Sequence, residues 1–400
     1  MSGIVVIGAG QAGAALVAKL RALGHDGPVT LIGDEQVPPY QRPPLSKKYL
    51  LGEMALERLF LRPESFYAEH DITLRTGQPV TAIDPATRQV HLGDEVLPYD
   101  QLALTTGAEP RLLPPAMGGG LESVYPVRRL ADIDAMAPEF APGRRVLIIG
   151  GGYIGLEAAA VARQRGLEVT LIEAAPRILQ RVAAPETSDY MRSLHEAQGV
   201  RIIEGTALAR LTGAGRVDGA ELADGRHIDA DFVIIGIGIT PATALAESAG
   251  LALDNGIAVD EFGRSADPHI WAAGDCASFP YRGARIRLES VQNAIDQAEA
   301  VAENMLGAGK PYDPLPWFWS DQYDLKLQIA GLNTGYERVI IREAGSARSH
   351  WYYAGDRFLA VDAMNDPRAF MLGKRLLEAG RSPDPAALAD PALDLKSLLR

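Results

Sequence analysis

Two apolar runs, each feeding a glycine-rich turn and then a helix-spaced pattern, organise this chain. Residues 4–7 are continuously apolar and rich in β-branched side chains, the pattern of a parallel strand buried on both faces. Gly8-Ala9-Gly10-Gln11-Ala12-Gly13 follows at once. Leu16, Leu20 and Leu23 then recur at helical spacing, and Gly24 is placed to end the helix. Residues 29–32 form the next strand and complete a βαβ unit. The same order returns at residues 146–149, Gly150-Gly151-Gly152-Tyr153-Ile154-Gly155, an alanine-rich helix to about Arg165, and a strand at 169–172 closed by Glu173. The two first glycines, Gly8 and Gly150, stand 142 positions apart. This recurrence predicts two nucleotide-binding domains with doubly wound parallel sheets, an α/β fold.

Between the two units, residues 80–83, 90–92 and 102–105 read as short strands, and Pro114, Pro115 and Gly118 to Gly120 break the chain. After the second unit, residues 232–235 and 270–273 read as buried strands and residues 290–306 as a helix. The composition changes near Pro316. Trp317, Trp319, Trp351, Tyr323, Tyr336, Tyr352 and Tyr353 all follow it. Short runs at 326–329 and 337–341 predict antiparallel strands, hence a smaller C-terminal α+β domain of about 85 residues. A short tail helix is expected at 393–399.

The length of 400 residues allows about two to three domains. The formal charge of −12 gives no global basic surface for nucleic acid. No apolar stretch approaches the roughly 20 residues of a membrane span, and the N-terminus has no basic leader, so a cytoplasmic protein without membrane contact, and a monomer by default, is expected. A single cysteine, Cys276, excludes an intrachain disulfide, a cysteine-cluster metal site and a redox-active dithiol. With no flanking cation to favour a thiolate, Cys276 reads as a small buried hydrophobe. The seven histidines show no metal-ligand spacing, and His25, His70 and His91 read as surface or cap residues. No metal site is expected.

The glycine spacing carries the chemistry. The first glycine permits a tight turn, the second lets backbone approach a pyrophosphate, and the third lets helix and strand pack closely. The helix start then offers N–H groups and positive dipole to phosphates. Gly8, Gly10 and Gly13 fit, as do Gly150, Gly152 and Gly155. Glu173, 23 residues past Gly150, is placed to accept hydrogen bonds from a ribose 2′-hydroxyl, and would repel a 2′-phosphate. NADH is therefore expected over NADPH, with nearby Arg177 weighing slightly against. In the first unit Gly33 stands where Glu173 would align. Asp34 and Glu35 follow it; either could meet a ribose or be a solvated turn acid, and the sequence does not choose.

Gly8 to Gly13, Arg42-Pro43-Pro44-Leu45-Ser46-Lys47, Gly150 to Glu157, Gly274-Asp275 and Phe318-Trp319-Ser320-Asp321-Gln322 form an ordered set. Together they closely resemble the FAD-dependent, NADH-using ferredoxin reductases that serve oxygenases, over essentially the whole chain. The resemblance implies two Rossmann-like domains of the glutathione-reductase type. The FAD domain would be split over residues 1–109 and 231–315, with an NADH domain inserted at 110–230. A C-terminal domain at 316–400 would cover the flavin and contribute to ferredoxin docking.

The resemblance also implies site roles. Asp275 would hydrogen-bond the FAD ribityl chain; the plainer alternative is a helix cap. Arg42 and Lys47, flanking a proline-stiffened loop, would lie at the FAD. Glu157 would pair with Lys47 near the nicotinamide; otherwise it is a solvent-facing helix acid. Trp319 would cover part of the flavin ring, or be ordinary core, with Gln292 and Ser320 adding hydrogen bonds. The implied reaction passes hydride from NADH to flavin N5, then two single electrons to a [2Fe–2S] ferredoxin supplying a cytochrome P450 or a ring-hydroxylating oxygenase. Without a cysteine pair the electrons must leave the flavin directly. Arg368, Lys374 and Arg375 are candidate docking bases for an acidic partner. The competing readings are a rubredoxin reductase, an NADH oxidase, and an FAD/NAD-binding signalling protein with little turnover.

Overall fold

The computed structural model describes residues 3–399, and the chain divides into two compact units. The first comprises Met1–Gln41, Ala55–Glu109 and Ile239–Pro314; the second comprises Arg42–Met54, Pro110–Gly238 and Leu315–Arg400.

In the first unit the strands Ile72–Arg75, Val29–Ile32, Gly3–Ile7, Glu95–Leu104 and Ile270–Ala272 run parallel in that order. An antiparallel extension through Gln89–Leu92 and Ala82–Asp84 leaves the Glu95–Leu104 strand. That strand is longer than the short apolar run at 102–105 predicts, because its exposed first half pairs in the antiparallel extension. Leu16, Val17 and Leu20 of the helix Gln11–Ala22 pack with Ala298, Val301 and Ala302 of the helix Val291–Met305 over one face of the sheet. Each fully buried leucine contributes about 2 kcal/mol. The other face is covered by Ile257, Cys276 and Phe279.

In the second unit a parallel sheet has the order Arg201–Ile203, Glu168–Ile172, Arg145–Ile149, Phe232–Ile235, Val124–Pro126. The helix Tyr153–Gln164 follows its central strand, and Pro185–Ala197 follows later. The two runs expected near 326 and 337 belong to a five-stranded antiparallel sheet: Trp317–Gln322, Leu325–Gly331, Arg357–Met364, Ala347–Ala354, Arg338–Ala344. The helix Pro367–Glu378 packs on it through Phe370, Leu372 and Leu376. The expected tail helix is instead a 3-10 turn at Leu395–Leu399. No helix among the described residues is long and apolar enough to cross a membrane.

Candidate active site: two glycine turns and a buried ion pair

Each glycine turn has two positions that the protein's own backbone needs and one that it leaves open. Gly8 adopts φ +113°, and a Cβ there would stand 2.2 Å from the Thr105 carbonyl oxygen. A Cβ on Gly13 would stand 2.1 Å from the Gly8 carbonyl oxygen. In the second turn Gly150 adopts φ +108°, and a Cβ on Gly155 would stand 2.0 Å from the Gly150 carbonyl oxygen. Nothing lies within 4 Å of the Cβ position of Gly10 or of Gly152. Neither following helix has a side-chain N-cap, so its first N–H groups face the open position. These two cradles fit the pyrophosphates of FAD and NADH.

In the first unit, Asp34 is exposed, and Glu35 accepts a hydrogen bond from the Tyr40 hydroxyl at 2.6 Å. Asp275 is half-buried after the strand Ile270–Ala272, and its carbonyl accepts from Arg287 at 3.1 Å. The preceding Gly274 N–H donates to Gln297 Oε1 at 2.8 Å. Gln292 Oε1 and Gln297 Nε2 are buried without a protein partner. Such amide atoms are costly unless satisfied, and they fit a polar ligand beside the Val291–Met305 helix. Gln297 is not legible as a site residue, since five positions beyond Gln292 it lies about 140° around the helix and no helical spacing links the two. Cys276 is fully buried, its thiol against the carbonyls of Leu104 and Ala273, and burial pushes its pKa up.

In the second unit, Glu173 is held from both sides. One carboxylate oxygen accepts the Gly151 N–H at 2.7 Å and the other the Ala175 N–H at 2.8 Å. The acid is thereby fixed beside the open Gly152 position. The Arg177 guanidinium is engaged elsewhere, by the Ser188 hydroxyl and the Gln180 carbonyl.

Glu157 lies on the same helix as Gly155 and is buried, 4% exposed, which removes the solvent-facing alternative. Its Oε2 accepts from Lys47 Nζ at 2.5 Å and Ser46 Oγ at 3.2 Å; its Oε1 accepts from Ser320 Oγ at 2.7 Å. A buried carboxylate is tolerated when its charge is paired and its lone pairs are filled. The proline-bounded loop shapes this: Leu45–Tyr49 forms a wide π-type turn interrupted at Lys47, whose ammonium also reaches the Pro43 carbonyl at 3.2 Å. Arg42 donates to the Arg128 carbonyl at 2.7 Å.

Along the strand Trp317–Gln322, side chains alternate between faces. Phe318, Ser320 and Gln322 face the helices of the nucleotide sheet: Phe318 stacks near Tyr153, with centroids 4.9 Å apart. Trp319 occupies the opposite face with Trp317, centroids 5.6 Å apart. Ser46 and Gln322 escaped the sequence reading. No alternation marks Gln322, since Ser320-Asp321-Gln322 is an unbroken polar run and only the folded strand shows which of its faces is buried.

Two dinucleotide cradles and a buried lysine–glutamate pair beside the second define a flavin- and nicotinamide-dependent oxidoreductase. Residues 2–298 match the family described as pyridine nucleotide-disulphide oxidoreductase, and residues 317–399 match the reductase C-terminal family. Rhodocoxin reductase of Rhodococcus erythropolis is 41% identical over 98% of this chain and 93% of its own length. The ferredoxin–NAD(+) reductase component of the anthranilate 1,2-dioxygenase system of Burkholderia cepacia is 40% identical over 99% of this chain and 98% of its own. The reductase in a crystal structure of the covalent putidaredoxin reductase–putidaredoxin complex superposes with a TM-score of 0.96 at 40% identity, covering 100% of this chain and 98% of that one. The chain belongs to the pyridine nucleotide-disulphide oxidoreductase family, among the FAD-dependent NADH:ferredoxin reductases related to putidaredoxin and terpredoxin reductases. Despite the broader family's name, its single cysteine admits no intrachain disulfide chemistry.

Proposed function

We propose that the protein oxidises NADH and reduces a [2Fe–2S] ferredoxin that supplies a cytochrome P450 or a ring-hydroxylating oxygenase. The observation that carries this reading is the buried Lys47–Glu157 pair, on the helix whose first turn is the second glycine cradle. Bound FAD supplies the conversion of one hydride, taken at N5 from NADH, into two single electrons for two ferredoxins, with NAD⁺ and one proton as the other products.

The chain's own residues bind and orient. The first cradle, with Asp34 or Glu35, Asp275 and Gln292, serves FAD; Ser320, expected at the flavin, gives its hydroxyl to Glu157 instead. The second cradle and Glu173 serve NADH, with Glu173 preset to accept from ribose hydroxyls. Lys47 and Glu157 position the nicotinamide, replacing a costly free encounter by a fixed one, and neither need transfer a proton. The first unit serves as the FAD domain and residues 110–238 as the NADH domain; the boundary expected at 231 moves to 239 because the strand Phe232–Ile235 pairs with Arg145–Ile149 in the second unit's sheet, and 316–400 serves as the docking domain.

Exposed Arg368 and Arg375 lie on the helix Pro367–Glu378, and Lys374 lies over the Trp317 ring at 5.8 Å. This local basic face supports contact with an acidic ferredoxin against the net charge of −12. NADH dependence and a lone reduced thiol support a cytoplasmic setting.

The test is anaerobic stopped-flow absorbance, mixing FAD-loaded protein first with NADH and then with oxidised [2Fe–2S] ferredoxin. Rapid flavin bleaching followed by stoichiometric ferredoxin reduction is expected. Bleaching without ferredoxin reduction refutes the acceptor, and bound FAD that does not bleach refutes the hydride step.

A further inference from the structure

Glu157 is one end of a longer polar chain. Ser320 donates its only hydroxyl proton to Glu157 Oε1 at 2.7 Å. Ser320 Oγ accepts from the Gln322 amide nitrogen at 3.1 Å. That leaves Gln322 Oε1, a pure acceptor, 2.7 Å from His195 Nε2. The other ring nitrogen, Nδ1, lies 3.2 Å from the Tyr323 hydroxyl. Ser320 and Gln322 are each 1% exposed and His195 is fully buried, so bulk water does not reach the bonds from Glu157 to His195; only the half-buried Tyr323 lies nearer the surface.

The direction of every proton follows from the carboxylate. A carboxylate only accepts, so Ser320 must donate to it. Ser320 Oγ must then accept from an NH₂ group, which fixes the Gln322 amide. Gln322 Oε1 therefore faces a donor, which puts the His195 proton on Nε2. Nδ1 is left bare, to accept from Tyr323. Turning the amide over would set Gln322 Oε1 against the Ser320 oxygen, acceptor to acceptor, and leave the buried amide unpaired there, at about 1–3 kcal/mol. Burial of the ring lowers the His195 pKa, opposed by the Gln322 contact, in keeping with a neutral imidazole.

We infer that His195 is a positioning residue for nicotinamide binding, acting through Gln322 and Ser320 to hold Glu157 Oε1 while Lys47 and Ser46 hold Oε2. The inference rests on the proposed role of the Lys47–Glu157 pair. Pinning both oxygens fixes the carboxylate plane, which Lys47 alone would leave free to rotate. His195 comes from the helix Pro185–Ala197, remote in sequence from the glycine turn and from the C-terminal strand.

Two measurements on the FAD-loaded protein test this. In protein labelled with ¹⁵N-histidine, the His195 signal, assigned by its loss in His195→Gln, should show a protonated Nε2 and a bare Nδ1 near neutral pH. A proton on Nδ1, or on both nitrogens, overturns the chain. In anaerobic stopped flow, His195→Leu should slow flavin bleaching or weaken NADH binding about tenfold, whereas His195→Gln, which retains a donor, should recover to within about twofold. In a Glu157→Gln background His195→Leu should add less than about twofold, because the effect runs through Glu157. An unchanged His195→Leu, or an equal loss in both backgrounds, overturns the inference. If His195→Leu fails to retain FAD or the native circular dichroism, Gln322→Glu replaces it. That carboxylate draws the Ser320 proton away from Glu157, and the same loss is expected; an unchanged rate and NADH affinity overturns the inference. Should Glu157→Gln alone leave bleaching and NADH affinity unchanged, the pair's role fails while the histidine spectrum still reports the chain.

Discussion

Replacing Asp362 by Asn isolates one buried titration in the C-terminal sheet. Asp362 is 1% exposed on the strand Arg357–Met364, where it accepts the Thr187 hydroxyl at 2.8 Å and the Tyr352 hydroxyl. Burial raises its pKa from 3.8 to about 6, while the two hydroxyls pull the other way. At 1.36 kcal/mol per unit, a shift of about two units is worth about 3 kcal/mol. The folded state binds this proton more tightly than the unfolded chain does. Its stabilising contribution is therefore complete below about pH 4 and is lost as the pH rises through about 6.

The neighbouring groups can be separated from it. His350 Nδ1 donates to Thr187 at 2.7 Å and its Nε2 accepts from Arg348 at 2.8 Å. Burial, and then the Arg348 charge, lower its pKa to about 3, so it stays neutral over the same window. Its linkage has the opposite sign, with stability lost as the pH falls from about 6.5 towards 3. Burial, then the charge of Asp362, raises the Tyr352 and Tyr153 pKa values, and both remain neutral. A wild-type curve thus mixes the Asp362 term with opposed histidine terms, from His350 and also from His25 and His195, whereas the difference from Asp362→Asn leaves only the first. The assay is urea unfolding followed by tryptophan fluorescence, since Trp317, Trp319 and Trp351 all report on this sheet. Between about pH 4 and pH 7.5 the stability difference should move by about 3 kcal/mol in favour of Asn, whatever constant offset the amide introduces. A difference that stays flat within about 1 kcal/mol refutes the reasoning.

Gly152→Ala should retain the wild-type melting temperature yet weaken NADH binding, because its Cβ enters open space at the cradle. Gly155→Ala should lower that temperature by several degrees, since its Cβ would meet backbone at 2.0 Å; calorimetry and NADH titration separate the two. Glu173→Ser should narrow the NADH preference over NADPH by about tenfold or more in kcat/KM, an energy near 1.4 kcal/mol, and an unchanged ratio removes Glu173 from cofactor choice. Arg368→Glu with Arg375→Glu should depress ferredoxin reduction at low salt while sparing a small artificial acceptor, and the deficit should shrink near 1 M salt.

What the sequence determined by itself was local. The two cradles were legible because strand periodicity, a glycine triplet and helix periodicity lie within about 30 residues, and each glycine answers a short-range steric demand. Glu173 was legible for the same reason, lying one strand away from its cradle. The lone cysteine decided which redox chemistry is excluded. The Lys47–Glu157 contact, across 110 positions, entered through resemblance to a family, since no periodicity links a loop to a helix so far away. Tertiary structure alone decided the rest of the polar chain: Ser320 reaches Glu157 across 163 positions, and His195 meets Gln322 across 127. It also decided that Arg42–Met54 packs with the second unit although its flanking segments belong to the first. Backbone conformation answers to near neighbours, whereas a buried polar group is satisfied by whatever donor the fold brings within about 3 Å. Composition and spacing do not encode that partner.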